Sequence, residues 1–193
     1  MRKISRYVSK TRLKLFAEGI FYSKLNYCLP VYGNVFGLEG YKDIGARYTS
    51  FTKEDNRKLQ VLQNSVMRLL TNSPRHTPTT TLLKSSNSLS VQQLVASQTM
   101  VMVHKVIQHN RPAYLSARLK ARNEDDGRRL QAKGKGIISV PNLRLSISRE
   151  GFIYRGRILF NKLPEELRTE ESLPRFKSGI RKWIVDHIPA KPS

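Results

Sequence analysis

The adjacent aspartates Asp125 and Asp126 come nearest, in residue type and spacing, to a catalytic centre in this sequence. In polymerases such a pair sits on a tight hairpin between apolar strands and holds metal ions for phosphoryl transfer. Here the neighbours are Asn123, Glu124, Gly127, Arg128 and Arg129, with no apolar strand on either side. The pair therefore reads as a solvated acidic turn. Zinc needs three or four ligands at workable spacing. The histidines (His76, His104, His109, His187) are scattered, His104 and His109 do not share a helix face, and Cys28 has no nearby ligand. Cys28 lies among Tyr27, Leu29 and Tyr32, with no neighbouring group to activate it, and reads as a packed small hydrophobe. Gly134-Lys135-Gly136 could cradle a phosphate, but the P-loop pattern is absent and no evident helix comes after it. No catalytic residue, no metal site and no cofactor is expected from these residues.

Charge carries the functional signal. Thirty-five Lys and Arg stand against 14 Asp and Glu, a formal net charge of +21. So large an excess repels itself at low salt, and a polyanionic partner balances it. Nucleic acid is the first expectation, ahead of an anionic membrane surface. The basic residues cluster in three places: Arg2, Lys3, Arg6, Lys10, Arg12 and Lys14; Arg128, Arg129, Lys133 and Lys135; and Arg175, Lys177, Arg181 and Lys182. These are the candidate nucleic-acid contacts, acting on phosphates and giving affinity without sequence reading. Trp183 and the aromatics of residues 21–51 could stack on bases, but at helical spacing they read first as core. One cysteine excludes an intrachain disulfide, and no stretch resembles a secretory signal or the ~18 apolar residues of a membrane span. An intracellular chain, cytoplasmic or nuclear, is expected.

The elements that must position these groups read as mainly α. Residues 1–36 suggest a helix with Leu13, Phe16, Ala17, Ile20 and Phe21 on its apolar face, interrupted by Pro30. Thr52 to Asp55 is an N-terminal capping pattern, followed by an apolar stripe of Leu59, Leu62, Val66, Leu69 and Leu70, with Gln60, Gln63 and Asn64 largely off it. Residues 73–89 read as a connection with a short helical turn at Thr81–Lys84. Ser90 to Gln93 is a second capping box, opening a helix with Val91, Leu94, Val95, Met102 and Val106 toward a core. Asn110 and Pro112 close it, and residues 112–120 suggest a further short helix. Period-two alternation at Leu143, Leu145 and Ile147 suggests an extended segment near 137–148, and a helix is expected over 152–163. The last helix begins at Ser172-Leu173-Pro174 and buries Phe176, Ile180, Trp183 and Ile184. The expected division is a helical unit over 1–121, a basic linker over 122–136 and a small tail unit over 137–188.

Several strings resemble one family. Gly19-Ile-Phe-Tyr-Ser-Lys-Leu-Asn-Tyr27 with Pro30-Val-Tyr-Gly33 is similar to the stretch after the polymerase palm in non-LTR (LINE-like) retrotransposon reverse transcriptases. Leu59-Gln-Val-Leu-Gln-Asn64 with Arg68 resembles the family's next helix, and Leu89-Ser-Val-Gln-Gln-Leu94 with Pro112-Ala-Tyr-Leu115 the segment after it. Phe160-Asn-Lys-Leu-Pro164, Leu167-Arg168 and Phe176-Lys177 resemble its tail, with Phe160 where the family usually has Trp. The strings agree in order over about residues 10–185. The resemblance implies a thumb-like helical bundle and a small tail, held beside a primer–template duplex by backbone contacts. The catalytic palm of that family would precede these residues, so no catalytic residue is carried over. The zinc knuckle of some relatives has no counterpart here. The role implied by the resemblance is that of a non-catalytic segment binding RNA or RNA–DNA duplex, with an upstream palm domain as partner in a longer protein and no membrane. The alternative is a basic structural or interaction module of a ribonucleoprotein.

Overall fold

A computed structural model describes residues 7–27, 29–35, 51–120, 135–145, 149 and 151–190. The described chain is mainly helical and contains no strand. Ser9 caps α1 (Lys10–Phe16), which runs on through a π-helical turn (Ala17–Tyr22) into α2 (Ser23–Asn26). After these come α3 (Leu29–Tyr32), α4 (Lys53–Thr71), α5 (Thr79–Ser85), α6 (Val91–His109) and α7 (Ala113–Lys120). The remaining helices are α8 (Phe152–Asn161), α9 (Glu165–Arg168) and α10 (Leu173–His187).

Helix α6 is the axis of the molecule. Lys105 is its only formally charged residue, and its buried positions, from Val91 through Met100 and Val103 to Val106, encircle it. A helix with one formal charge and buried positions on every side belongs in an interior, and α3, α4, α7, α8 and α10 all pack on it. Both capping boxes expected from the sequence are formed: Thr52 with Asp55 opens α4, and Ser90 with Gln93 opens α6. Asn72 and Asn110 end these two helices in the left-handed conformation. The last helix buries Phe176, Ile180 and Ile184 as expected, while Trp183 is half-buried. One apolar core joins Leu25, Leu29, Val95, Met100, Phe160 and Ile184. It thus takes residues from both sides of the 122–136 segment.

Two local expectations need correction, and the expected extended segment is non-helical over 137–143 but pairs with no strand among the described residues. On α1 and the π turn the buried residues are Leu13 and Ala17, while Phe16 and Ile20 are 49 % and 53 % exposed. From Ala17 on, the π turn adds a residue to the local repeat and so changes which side chains face inward, whereas Phe16 is already exposed in α1. Helix α4 is rotated about its axis so that its apolar stripe lies at the edge of the buried face, with Leu59 still packed on the core. None of Leu59, Leu62, Val66, Leu69 and Leu70 is fully buried, whereas Asn56, Gln60, Gln63, Asn64 and Met67 are. Of the expected extended segment, residues 137–143 form no ladder, and an asparagine substitutes for one. Ile138 N donates to Asn161 Oδ1 at 2.9 Å and Asn161 Nδ2 donates to Ile138 O at 2.7 Å. Ile147 lies outside the described residues.

Candidate nucleic-acid interface

Polar side chains on the inner face of α4 fix it against the rest of the fold. Gln60 Oε1 accepts from Val91 N at 2.9 Å, one of the free N–H groups at the start of α6. Gln60 Nε2 donates to Gln63 Oε1 and Asn64 Oδ1, both at 2.9 Å. Gln63 Nε2 donates to Leu89 O at 2.8 Å, and Asn64 Nδ2 to Thr79 Oγ1 at 2.9 Å. A buried polar network of this kind is favourable because its donors have acceptors. It ties α4 to the start of α5 and to the α5–α6 connection, and two grooves lie where the C-terminal half of α4 comes beside α1.

The first groove, about 670 Å³, runs between α1, the end of α4 and the α5–α6 connection. Lys10, Lys14 and Arg181 supply its positive charge; Glu18, 4.0 Å from Lys14 Nζ, is its only acid among the described residues; and Ser85, Ser86 and Ser88 lie along it. The second groove, about 930 Å³, shares Lys10 and Leu70 with the first and adds Arg68, Arg75, Ser65 and Asn72. No acidic residue among the described residues lines it. The two form a basic track around the N-terminus of α1, furnished with hydroxyl and amide groups that can meet phosphate oxygens.

Of the candidate contacts, the structure brings Lys10, Lys14 and Arg181 to this track. Arg12, Arg175, Lys177 and Lys182 are exposed but line neither groove. Lys135 is exposed in a turn, where its carbonyl accepts from Arg168 Nε at 3.1 Å. Arg2, Lys3, Arg6, Arg128, Arg129 and Lys133 lie outside the described residues, as do Cys28, Asp125 and Asp126. Sequence reasoning misses Arg68 and Arg75. The available signal is positional, since one falls in the last turn of α4 and the other in the turn just beyond it.

Part of the positive charge has structural work. Arg155 donates to the carbonyls of Gly33 and, at 2.6 Å, Val31, at the C-terminal end of α3. Arg157 donates to the carbonyl of Arg118 in the last turn of α7. Arg168 holds Leu163 O at 2.7 Å and Asn161 O at 3.2 Å, beyond α8. Arg181 grips Asn87, through its carbonyl and, at 3.0 Å, its Oδ1, just past α5. Helix C-termini present unpaired carbonyls and partial negative charge, which a guanidinium satisfies on both counts. Arg181 thus closes the α5–α6 connection while lining the first groove.

His104 is buried, its ring stacked on Phe176 at 4.1 Å, with Nε2 2.7 Å from Glu170 O. Trp183 stacks on His187 at 4.6 Å. Among the described residues no group of three or more His, Cys, Asp and Glu is placed to hold a metal ion. Among them, too, no helix is long and apolar enough to cross a membrane. Comparisons with protein-family models, curated proteins and solved structures find no match to this chain.

Proposed function

We propose that this chain is a non-catalytic segment of the non-LTR retrotransposon reverse-transcriptase type that holds RNA or RNA–DNA duplex by its backbone, without reading sequence. The observation that supports this reading is the track of Lys10, Lys14, Arg68, Arg75 and Arg181 against a single acid, Glu18, among the described residues. The resemblance of the ordered strings supplies the family. In this reading the basic track takes phosphates and the chain performs no reaction of its own.

Salt dependence tests it. Five phosphate contacts on a duplex give a slope of about −4.5 in log K against log salt, or about 500-fold weaker binding between 50 and 200 mM. Affinity is measured by fluorescence anisotropy with labelled duplexes of two unrelated sequences. The expected result is that slope, equal for both. A flat dependence, or no binding at low salt, overturns the reading.

The alternative, a basic module of a ribonucleoprotein, draws on the apolar core that runs continuously from Leu25 to Ile188. A core of that span suits a domain that folds around itself. It predicts co-purification with one defined partner and a sequence or structure preference among RNAs.

A further inference from the structure

Away from the basic track, α7, the coil over 139–143 and the first turns of α8 line an open groove of about 600 Å³. Leu115, Pro141, Leu143, Phe152 and Ile153 give it an apolar lining. Leu115, Phe152 and Ile153 also belong to a satellite core with Val106 and Leu119, so the apolar wall is backed by packed side chains. Ser139, Tyr154, Arg118 and Arg157 are the polar members.

Arg157 is the unusual one. It is only 4 % exposed, its Nε has no hydrogen-bond partner, and no carboxylate of the described residues pairs with it. One interaction is formed, from Nη2 to the carbonyl of Arg118. Burial lowers the pKa of this guanidinium from its ordinary value. Apart from the partial negative charge at the C-terminal end of α7, this buried guanidinium has no counter-charge among the described residues, a costly arrangement in a fold.

We infer that this groove is a binding site for a small amphiphilic carboxylate, whose acid group faces Arg157 and Arg118 and whose apolar body lies on Leu115, Leu143 and Phe152. The volume is within the range of small-molecule pockets, and a mostly apolar wall with few convergent polar groups is their usual make-up. The attraction is to the guanidinium charge as a whole, and it strengthens as the bound apolar body excludes water. A phosphodiester backbone would gain nothing from the apolar wall, which separates this site from the basic track. Arg118, exposed at the rim, adds a second positive charge without being buried.

The test is calorimetric titration and thermal shift of the full chain with octanoate and 4-phenylbutyrate, beside acetate and octanol. Salt is held at about 0.15 M to suppress adsorption to the basic surface. The expected result is saturable binding at one site per chain, at least tenfold tighter for the two amphiphilic acids than for acetate or octanol. Arg118→Ala should weaken it about threefold and Arg157→Met abolish it. Leu143→Trp, which fills the groove and keeps Arg157, should also abolish it, and it decides the matter if Arg157→Met fails to fold. Binding weaker than about 1 mM for both acids overturns the inference. So does binding that matches acetate, or that survives Leu143→Trp.

Discussion

Replacing Gln63 with leucine should damage this protein more than replacing Leu62 with glutamine, the reverse of what the apolar pattern of α4 implies. Gln63 has no exposed surface, while Leu62 is 54 % exposed. Gln63→Leu removes the donor to Leu89 O and one of the two acceptors used by Gln60 Nε2. The Leu89 carbonyl then loses this donor. Leaving a buried group unsatisfied costs about 1–3 kcal/mol, and a lost hydrogen bond about 0.5–1.5 kcal/mol. A total near 3 kcal/mol is a large part of the roughly 5–15 kcal/mol stability of a domain. At about 2–4 °C per kcal/mol for a chain of this size, Tm should fall by roughly 6–12 °C. Leu62→Gln changes a surface side chain and should stay within about 0.5 kcal/mol of the parent. Thermal and urea denaturation followed by circular dichroism measure both variants. If Leu62→Gln costs more than Gln63→Leu, α4 does not sit as described and the groove geometry built on it falls too.

Other perturbations probe the remaining steps. Arg68→Ala with Arg75→Ala should make the salt slope of nucleic-acid binding shallower by about 2, at about 0.9 per phosphate contact; an unchanged slope removes the second groove from the interface. Gly33→Ala should destabilise the fold by about 1–3 kcal/mol as an overpacking change, because a Cβ there would stand 2.5 Å from both Leu29 O and Val95 Cγ2. Gly19→Ala, with open space around its Cβ, should instead stabilise by about 0.5–1 kcal/mol, and parallel melts compare the two. Hydrogen bonds from the Thr52 side chain and backbone hold Asp55 below its ordinary pKa. A carboxyl whose pKa is lower in the folded state stabilises above its unfolded pKa and loses that contribution as pH falls through the folded value. The start of α4 should therefore lose protection from amide exchange in and below the ordinary aspartate range, and Asp55→Asn should flatten that dependence.

Helix existence is legible because caps and breakers act locally. Thr52 with Asp55, Ser90 with Gln93, and Ser172 before Pro174 each mark a start within a few residues, and Asn72 and Asn110 mark ends. Which face turns inward is less legible, because that is decided by partners distant in sequence. Gln60 faces inward to meet Val91 N, thirty-one residues away, and Gln63 to meet Leu89 O. No periodicity in α4 contains that information. The near-absence of formal charge from α6 is in plain view and implies burial on all sides, yet its apolar spacing suggests a single stripe. The candidate site is legible as a class of residue and not as a place. The sequence shows three clusters of cations; the fold draws Lys10, Lys14 and Arg181 from two of them and adds Arg68 and Arg75 from neither.

A net charge of +21 treats all cations alike, but the fold divides them. Arg155, Arg157, Arg168 and Arg181 spend donors on carbonyls at or beyond helix ends, where a planar, permanently charged fork suits two acceptors at once. Lysine would serve poorly there, since it offers a point charge in place of the fork. The lysines Lys10 and Lys14 instead stand exposed on α1, able to follow a phosphate backbone. Arg-to-Lys exchange at residues 155 and 168 should therefore preserve the salt slope of binding and lower Tm, whereas Lys-to-Ala exchange at residues 10 and 14 should do the reverse. The motif strings fit the same division. Gln60, Gln63, Asn161 and Arg168, all within the strings that resemble a family, are occupied in holding backbone, while Arg68 from the same strings lines the second groove.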